Sequence, residues 1–164
     1  MALSTSQKQT LAAGIRASTD PSVIVARDPN VRDDVTIANW VNAASTSVVW
    51  KTFVPKATVG KTFVATALAA ITAGNNDKLS SYAAWNPDGV DPSRSDTRDF
   101  FNDIFSVAAG NSTRAALLAL WKRFATNGER ILGATNGTDA TPVQLVFEGT
   151  ISLTEVSQAL NENP

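Results

Sequence analysis

Neither cysteine nor histidine occurs among the 164 residues. Without cysteine there can be no disulfide and no thiolate metal ligand, and the redox compartment stays open. Without histidine the commonest general base and the commonest metal-ligating side chain are both missing. Charge is sparse as well. Only 18% of residues are charged, and 14 basic against 15 acidic residues leave a net −1. Such a chain has no overall field to draw nucleic acid or an anionic membrane. No uninterrupted apolar run nears the roughly 20 residues of a membrane span, and the opening MALSTSQKQT has no apolar targeting region. The expectation is a soluble product made in the cytoplasm, without a membrane partner. What is present, 43% hydrophobic residues, is enough to bury a real core in one domain spanning residues 1–164.

The clearest helical signal lies at residues 112–133 (STRAALLALWKRFATNGERILG). Ser112 is a good N-cap, Leu117, Leu118 and Trp121 share a face, and Lys122 and Arg123 suit a helix C-terminus. A break at residues 126–128 precedes a short run that Gly133 can close. Upstream, residues 5–18 read as a helix with Leu11 and Ile15 on one face. Asp20 caps a turn that Pro21 opens, and residues 33–42 form a further helix through Ile37, Trp40 and Val41. Residues 48–54 (VVWKTFV) are β-branched and aromatic and stop at Pro55, which predicts a strand. Residues 63–72 and 75–85 return to helical spacing. The segment 86–93 (NPDGVDPS) reads as a loop. Ser95 or Asp96 caps the next helix, whose Phe100, Phe101, Ile104 and Phe105 form an aromatic face. Residues 134–141 read as a polar loop, 143–149 (VQLVFEG) as a second strand, and Ser152 with Glu155 as a capping box for a last helix.

The predicted fold is therefore mostly α, a compact helical domain with one small two-stranded antiparallel sheet. Its strands would be 48–54 and 143–149, because an unpaired strand leaves its backbone groups unsatisfied. Leu117, Trp121, Phe101, Phe105 and Ile104 are expected to pack together.

Candidate chemistry is thin. Asp88, Asp91, Asp96, Asp99 and Asp103 cluster around the central loop, but their spacing misses the calcium-loop pattern, and turns and caps are the plainer use. Residues 59–62 contain Gly-Lys-Thr, yet the phosphate loop needs a glycine where Pro55 stands. Arg114, Lys122, Arg123 and Arg130 give local positive charge, read here as solvated helix ends with no DNA contact. Trp40, Trp50, Trp85 and Trp121 suit core or interface packing better than ligand stacking. No residue is assigned as catalytic, cofactor-binding or metal-binding, no cofactor or small-molecule substrate is expected, and the chain does not read as an enzyme.

Three stretches carry a resemblance: residues 49–54 (VWKTFV), 122–132 (KRFATNGERIL) and 146–159 (VFEGTISLTEVSQA). They resemble signatures of a family of small tailed-bacteriophage and prophage proteins. Its members have a VWRT-like strand, a helical middle, a KR-A-TR-E-LF segment, a GTGT-like loop and a closing FEG-L-DV element. Asn127 and Gly128 replace a more basic pair, Ile131 and Leu132 replace Leu-Phe, and residues 60–85 match in pattern more than in letters. The resemblance implies a virion structural protein, foremost a head-to-tail adaptor or connector forming a homo-oligomeric ring between portal and tail. Other virion proteins (portal, tail tube or nozzle, capsid) would be its partners, and the virion its location. A capsid decoration or tail component is the neighbouring reading, and a non-virion assembly helper or DNA-binding regulator the more distant one. A regulator should show a basic recognition helix, which this sequence lacks. The loops 86–93 and 134–141 and the polar termini 1–6 and 161–164 are the expected contact segments.

Overall fold

The computed structural model describes residues 2–134 and 136–162. The expected contact segments 1–6, 134–141 and 161–164 include Met1, Thr135, Asn163 and Pro164, which lie outside the described residues. The chain forms two compact units, one from Met1–Val49 with Phe124–Pro164, the other from Trp50–Arg123. Helix dominates both, as predicted.

In the first unit, α1 (Thr5–Ala17) starts at Ser4, whose hydroxyl accepts from the Gln7 N–H while the Gln7 side chain accepts from the Ser4 N–H. This is a reciprocal cap. Asp20 caps α2 (Pro21–Ala26), as predicted, and Asp33, expected as the first residue of its helix, instead caps α3 (Asp34–Asn42). Leu11, Ile15, Val23, Ile37 and Val41 from these helices pack with Phe147, Ile151, Val156 and Leu160 from the C-terminal region. The last helix is Leu153–Glu162, and Glu155 accepts from the Ser152 N–H at 2.8 Å. Asn42 ties its approach down, donating to the Ile151 carbonyl at 2.8 Å and accepting from the Ile151 N–H at 2.9 Å.

The second unit begins with β2 (Val54–Pro55), followed by α4 (Lys56–Gly60), α5 (Ala65–Ala70) and α6 (Ala73–Trp85). Then come β3 (Gly89–Val90), α7 (Ser95–Ile104), a single turn of 3-10 helix at Ala108–Gly110, and α8 (Asn111–Trp121). Its core is aromatic. Phe101 meets Trp121 edge-on with ring centroids 5.4 Å apart, and Phe63 lies 5.4 Å from Phe105. Leu117, Trp121, Phe101, Ile104 and Phe105 share one buried cluster, as the facing apolar stripes predicted.

The sheet differs from expectation in its partner. The strand β1 (Ala44–Trp50) pairs antiparallel with β4 (Lys122–Thr126), not with 143–149. Of the predicted second strand only Val143 makes a bridge, to Val49, and it is parallel. Pro142 and the positive φ of Gly149 (142°) bracket that stretch. Lys122 and Arg123 are correspondingly strand residues: Lys122 turns extended at the end of α8, with φ −100° and ψ 154°. The predicted first strand also starts and stops four residues early, and its tail Val54 pairs instead with Val90. Past β4, Thr126 caps α9 (Asn127–Ile131). Gly133, with φ 141°, follows it and leads the chain away from the helix, as predicted.

Gly137 shows how tightly one predicted loop is held. It accepts from the Val48 N–H at 2.8 Å and donates to the Ser47 hydroxyl at 3.0 Å, and that hydroxyl donates to the Ala134 carbonyl at 2.6 Å. A Cβ at Gly137 would sit 2.0 Å from the Val48 carbonyl oxygen. Because that neighbour is backbone, it cannot swing aside. Gly137→Ala is expected to lower stability by about 1–3 kcal/mol, the cost of overpacking a tight site. Urea unfolding checks it, and a change within about 0.5 kcal/mol would mean that the loop yields freely.

Candidate interaction surface

The thirteen residues of α6 include none that is buried. Thr72 caps it, and Asn75 donates from its side chain to the Ile104 carbonyl at 3.3 Å. Leu79 and Tyr82 rest partly on the core, and Tyr82 stacks on Phe100 at 4.4 Å. Lys56 reaches the Ala83 carbonyl at 3.0 Å, and Lys78 pairs with Asp103 at 3.2 Å across the surface. Trp85 closes the helix with 85% of its surface in water. A helix of this length gains most of its stability from packing an apolar face, and here that face is only half used.

The same holds for α5. Its sequence ATALAA is apolar but for one threonine, yet only Ala67 is buried. Val64 and Leu68, four apart, are exposed, and Phe53 is 55% exposed. Lys56 and Lys61 flank them in solvent. Between residues 35 and 76 the chain has three lysines and no acidic residue.

The first unit also exposes apolar side chains, with Ile24 lying among Arg16, Arg27 and Arg32. Within residues 20–35, Val25 and Val31 are each 63% exposed, with Ile24 and Val35 also in solvent. Asp20, Asp28, Asp33 and Asp34 stand among them. The two arginines of the stretch are already engaged. Arg27 donates to the carbonyls of Ile15 and Arg16, and Arg32 to Asp34 at 2.7 Å and to Asn161 at 2.8 Å. The whole-chain charge of −1 conceals a division. Five basic and nine acidic residues leave the first unit at −4, while nine and six leave the second at +3.

Three carboxyls of this stretch, on Asp20, Asp33 and Asp34, are held below the ordinary range. The Ser22 hydroxyl donating to Asp20 and the Thr36 hydroxyl donating to Asp33 hold both carboxyls below their usual range. For Asp34 burial pulls upward, but hydrogen bonds from Arg32 and Ser157 outweigh it and the net shift is down. A carboxyl with a depressed folded pKa stabilises the fold above its unfolded value and loses that contribution as pH falls through the folded one. The melting temperature should therefore hold from neutrality to about pH 5 and drop below about pH 4, where unfolded carboxylates begin to protonate. Asp34→Asn should flatten that drop, and a profile unchanged by the substitution would remove Asp34 from the acid response.

Several of the other sequence candidates are accounted for locally. Asp91 accepts from the Ser93 N–H and hydroxyl, Asp103 meets Lys78, and Asp96 is paired with Arg94. The Arg94 guanidinium holds the Asp96 carboxyl down at about 2. Arg94, Asp96 and Asp91 line an open cavity of about 510 Å³ beside Tyr82 and Phe100, with its charges already satisfied. Among the described residues no three acidic side chains gather as a metal site would require. Thr62 of the Gly-Lys-Thr run donates its hydroxyl to the Val59 carbonyl. Trp50 lies under the Arg98 guanidinium at 4.4 Å, and Arg98 also clasps the carbonyls of Pro92 and Ser93.

Those bonds fix the 86–93 loop, with Val90 buried and paired to Val54. In the second unit exposed apolar side chains lie instead around α5, at Val64 and Leu68, and at Trp85 on α6, which helical periodicity alone did not single out. The signal available in the sequence was the run of residues without an acid, with its Ala-rich helix. A scan against protein-family models, a search of curated proteins and a search of solved structures each returned no match.

Proposed function

We propose that this chain is a structural subunit of a tailed-phage particle, a head-to-tail adaptor that acts by assembling with its own copies and with neighbouring virion proteins, without turnover. The observation that carries the assembly role is α6, a thirteen-residue helix with no buried residue that ends in an 85% exposed tryptophan. Exposed aromatic anchors of this kind are the side chains that dominate protein interfaces. An isolated chain has no use for them. The phage setting rests on the resemblance at residues 49–54, 122–132 and 146–159. The chemistry on the surface fits a role without catalysis: charges are paired in place, and the unused capacity is apolar.

Mass spectrometry of purified particles tests the reading. The protein should be present at a fixed copy number matching a ring. Absence from particles, or a copy number that varies between preparations, would overturn it.

A further inference from the structure

A cavity of about 130 Å³ lies between α4 and α6, walled by Val59, Phe63, Leu79, Tyr82, Val90 and Phe101. Three of those walls are aromatic rings. The Lys56 ammonium spans its edge, donating to the Ala83 carbonyl at 3.0 Å. Native interiors are closely packed, and an unfilled apolar space forfeits the contacts its walls could make. An engineered cavity of about 150 Å³ with comparable walls takes up benzene, so this one has room for a single aromatic ring. One acceptor stands beside it. Asn86, also in the lining, gives its side-chain N–H to the Tyr82 carbonyl at 3.0 Å. Its Oδ1 receives no hydrogen bond among the described residues.

The chain itself carries a side chain that fits. Among the described residues Phe53, Phe124 and Trp85 are the aromatic side chains more than half exposed. Trp85 is the most exposed, and it alone brings an N–H for the Asn86 oxygen. It is turned away from its own cavity. Leu79, Tyr82 and Ala83 share one face of α6, and Trp85 projects roughly 110° round the helix from that face. We propose that Trp85 of one copy of this chain seats in the α4–α6 cavity of a second copy. Its ring lies among Phe63, Tyr82 and Phe101, and its N–H donates to Asn86 Oδ1. A tryptophan buried in a well-packed pocket is the commonest kind of interface anchor. The inference rests on the assembly reading above and deepens it, by naming what Trp85 docks into.

Sedimentation equilibrium of the full chain tests the contact, with self-association expected at a Kd of about 1 mM or tighter. Trp85→Ala removes the anchor and Ala83→Leu fills the cavity, and circular dichroism verifies the fold of each. Either substitution alone should weaken self-association at least about tenfold. Mixed in equal amounts, the two variants should pair one to one, because one keeps the cavity and the other keeps the tryptophan. Damage to the fold would not be repaired by mixing. Free indole tests the unaltered chain, so the proposal does not hang on either variant folding. It should shift the amide resonances of Tyr82 and Phe101 and weaken self-association. A chain that stays monomeric at about 1 mM, or association unchanged in Trp85→Ala, would overturn the contact. So would folded variants that fail to pair on mixing, or indole that leaves association intact. Protein found in particles whose Trp85→Ala variant enters them equally well overturns the contact alone. Self-association that meets every expectation, with no protein in particles, overturns the virion reading and leaves the contact standing.

Discussion

Trp121→Ala is expected to lower the unfolding free energy by about 3–5 kcal/mol, the usual range for a large aromatic removed from a core. Trp121 is 2% exposed, packs edge-on against Phe101, and shares its cluster with Leu117, Ile104 and Phe105. Removing the indole leaves a void among Phe101, Phe105, Ile104 and Leu117, which can collapse only partly. A second variant separates packing from polarity. The indole N–H is buried and has no acceptor among the described residues, so it contributes a desolvation cost. Trp121→Phe loses part of the ring but also removes that orphan donor, and should cost under about 2 kcal/mol. Denaturant unfolding of both variants checks the pair. If Trp121→Ala costs under about 1 kcal/mol, the side chain is not a core element and belongs to a surface.

The second large effect is expected at Glu129. Its carboxylate is buried, with 2% of the residue exposed. One oxygen accepts from the Thr126 N–H at 2.9 Å and the other from the Gly149 N–H at 3.3 Å. Thr126 returns the favour by accepting from the Glu129 N–H at 3.1 Å. The side chain thus caps α9 and holds a segment twenty residues further on. Glu129→Ala leaves two part-buried backbone donors without this acceptor, at an expected cost of about 2–3 kcal/mol. Glu129→Gln keeps the shape and one acceptor oxygen, and should lose about half as much. Amide exchange should accelerate at Thr126 and Gly149 together in the alanine variant. Acceleration at only one of them would show that the two ends are not joined through this carboxylate.

Local chemistry was legible in the sequence, and long-range choice was not. Asp20 before Pro21 and Ser152 with Glu155 were read correctly, because a cap needs only its own first turn. Thr126 and Glu129 form the same reciprocal cap, but Lys122 and Arg123 were taken as the end of a helix and hid it. The cations are in a strand because α8 stops at buried Trp121 and the chain turns extended there. The partner of β1 could not be chosen from composition, since VQLVFEG looks more β-like than KRFAT. Pairing is settled by where α8 delivers the chain, with the Lys51 N–H donating to the Trp121 carbonyl at 2.8 Å. Ser112 was expected as the N-cap of α8, but the preceding 3-10 turn feeds in at Gly110. Likewise α7 begins beyond Arg94, which makes no side-chain cap, while Asp96 binds Arg94 instead. For the candidate surface, the helix over 75–85 was legible from Leu79, Tyr82 and Ala83. Its exposure was not, because periodicity tells which face could be covered and is silent on whether anything covers it.

The first unit is discontinuous in sequence, and that has a consequence for how the chain matures on the ribosome. Residues 50–123 form an unbroken stretch and possess their whole core once Arg123 has emerged. The first 49 residues have no such completeness. The Leu3 N–H waits for the Glu155 carboxylate, 152 residues later, and the face of α1 bearing Leu11 and Ile15 waits for Val156 and Leu160. Synthesis at roughly 5–20 residues per second therefore leaves that apolar face bare for several seconds after it is made. The middle of the protein is then the earliest part to become native, and the N-terminal helix stands exposed to chaperones and to neighbouring nascent chains until the last turn arrives.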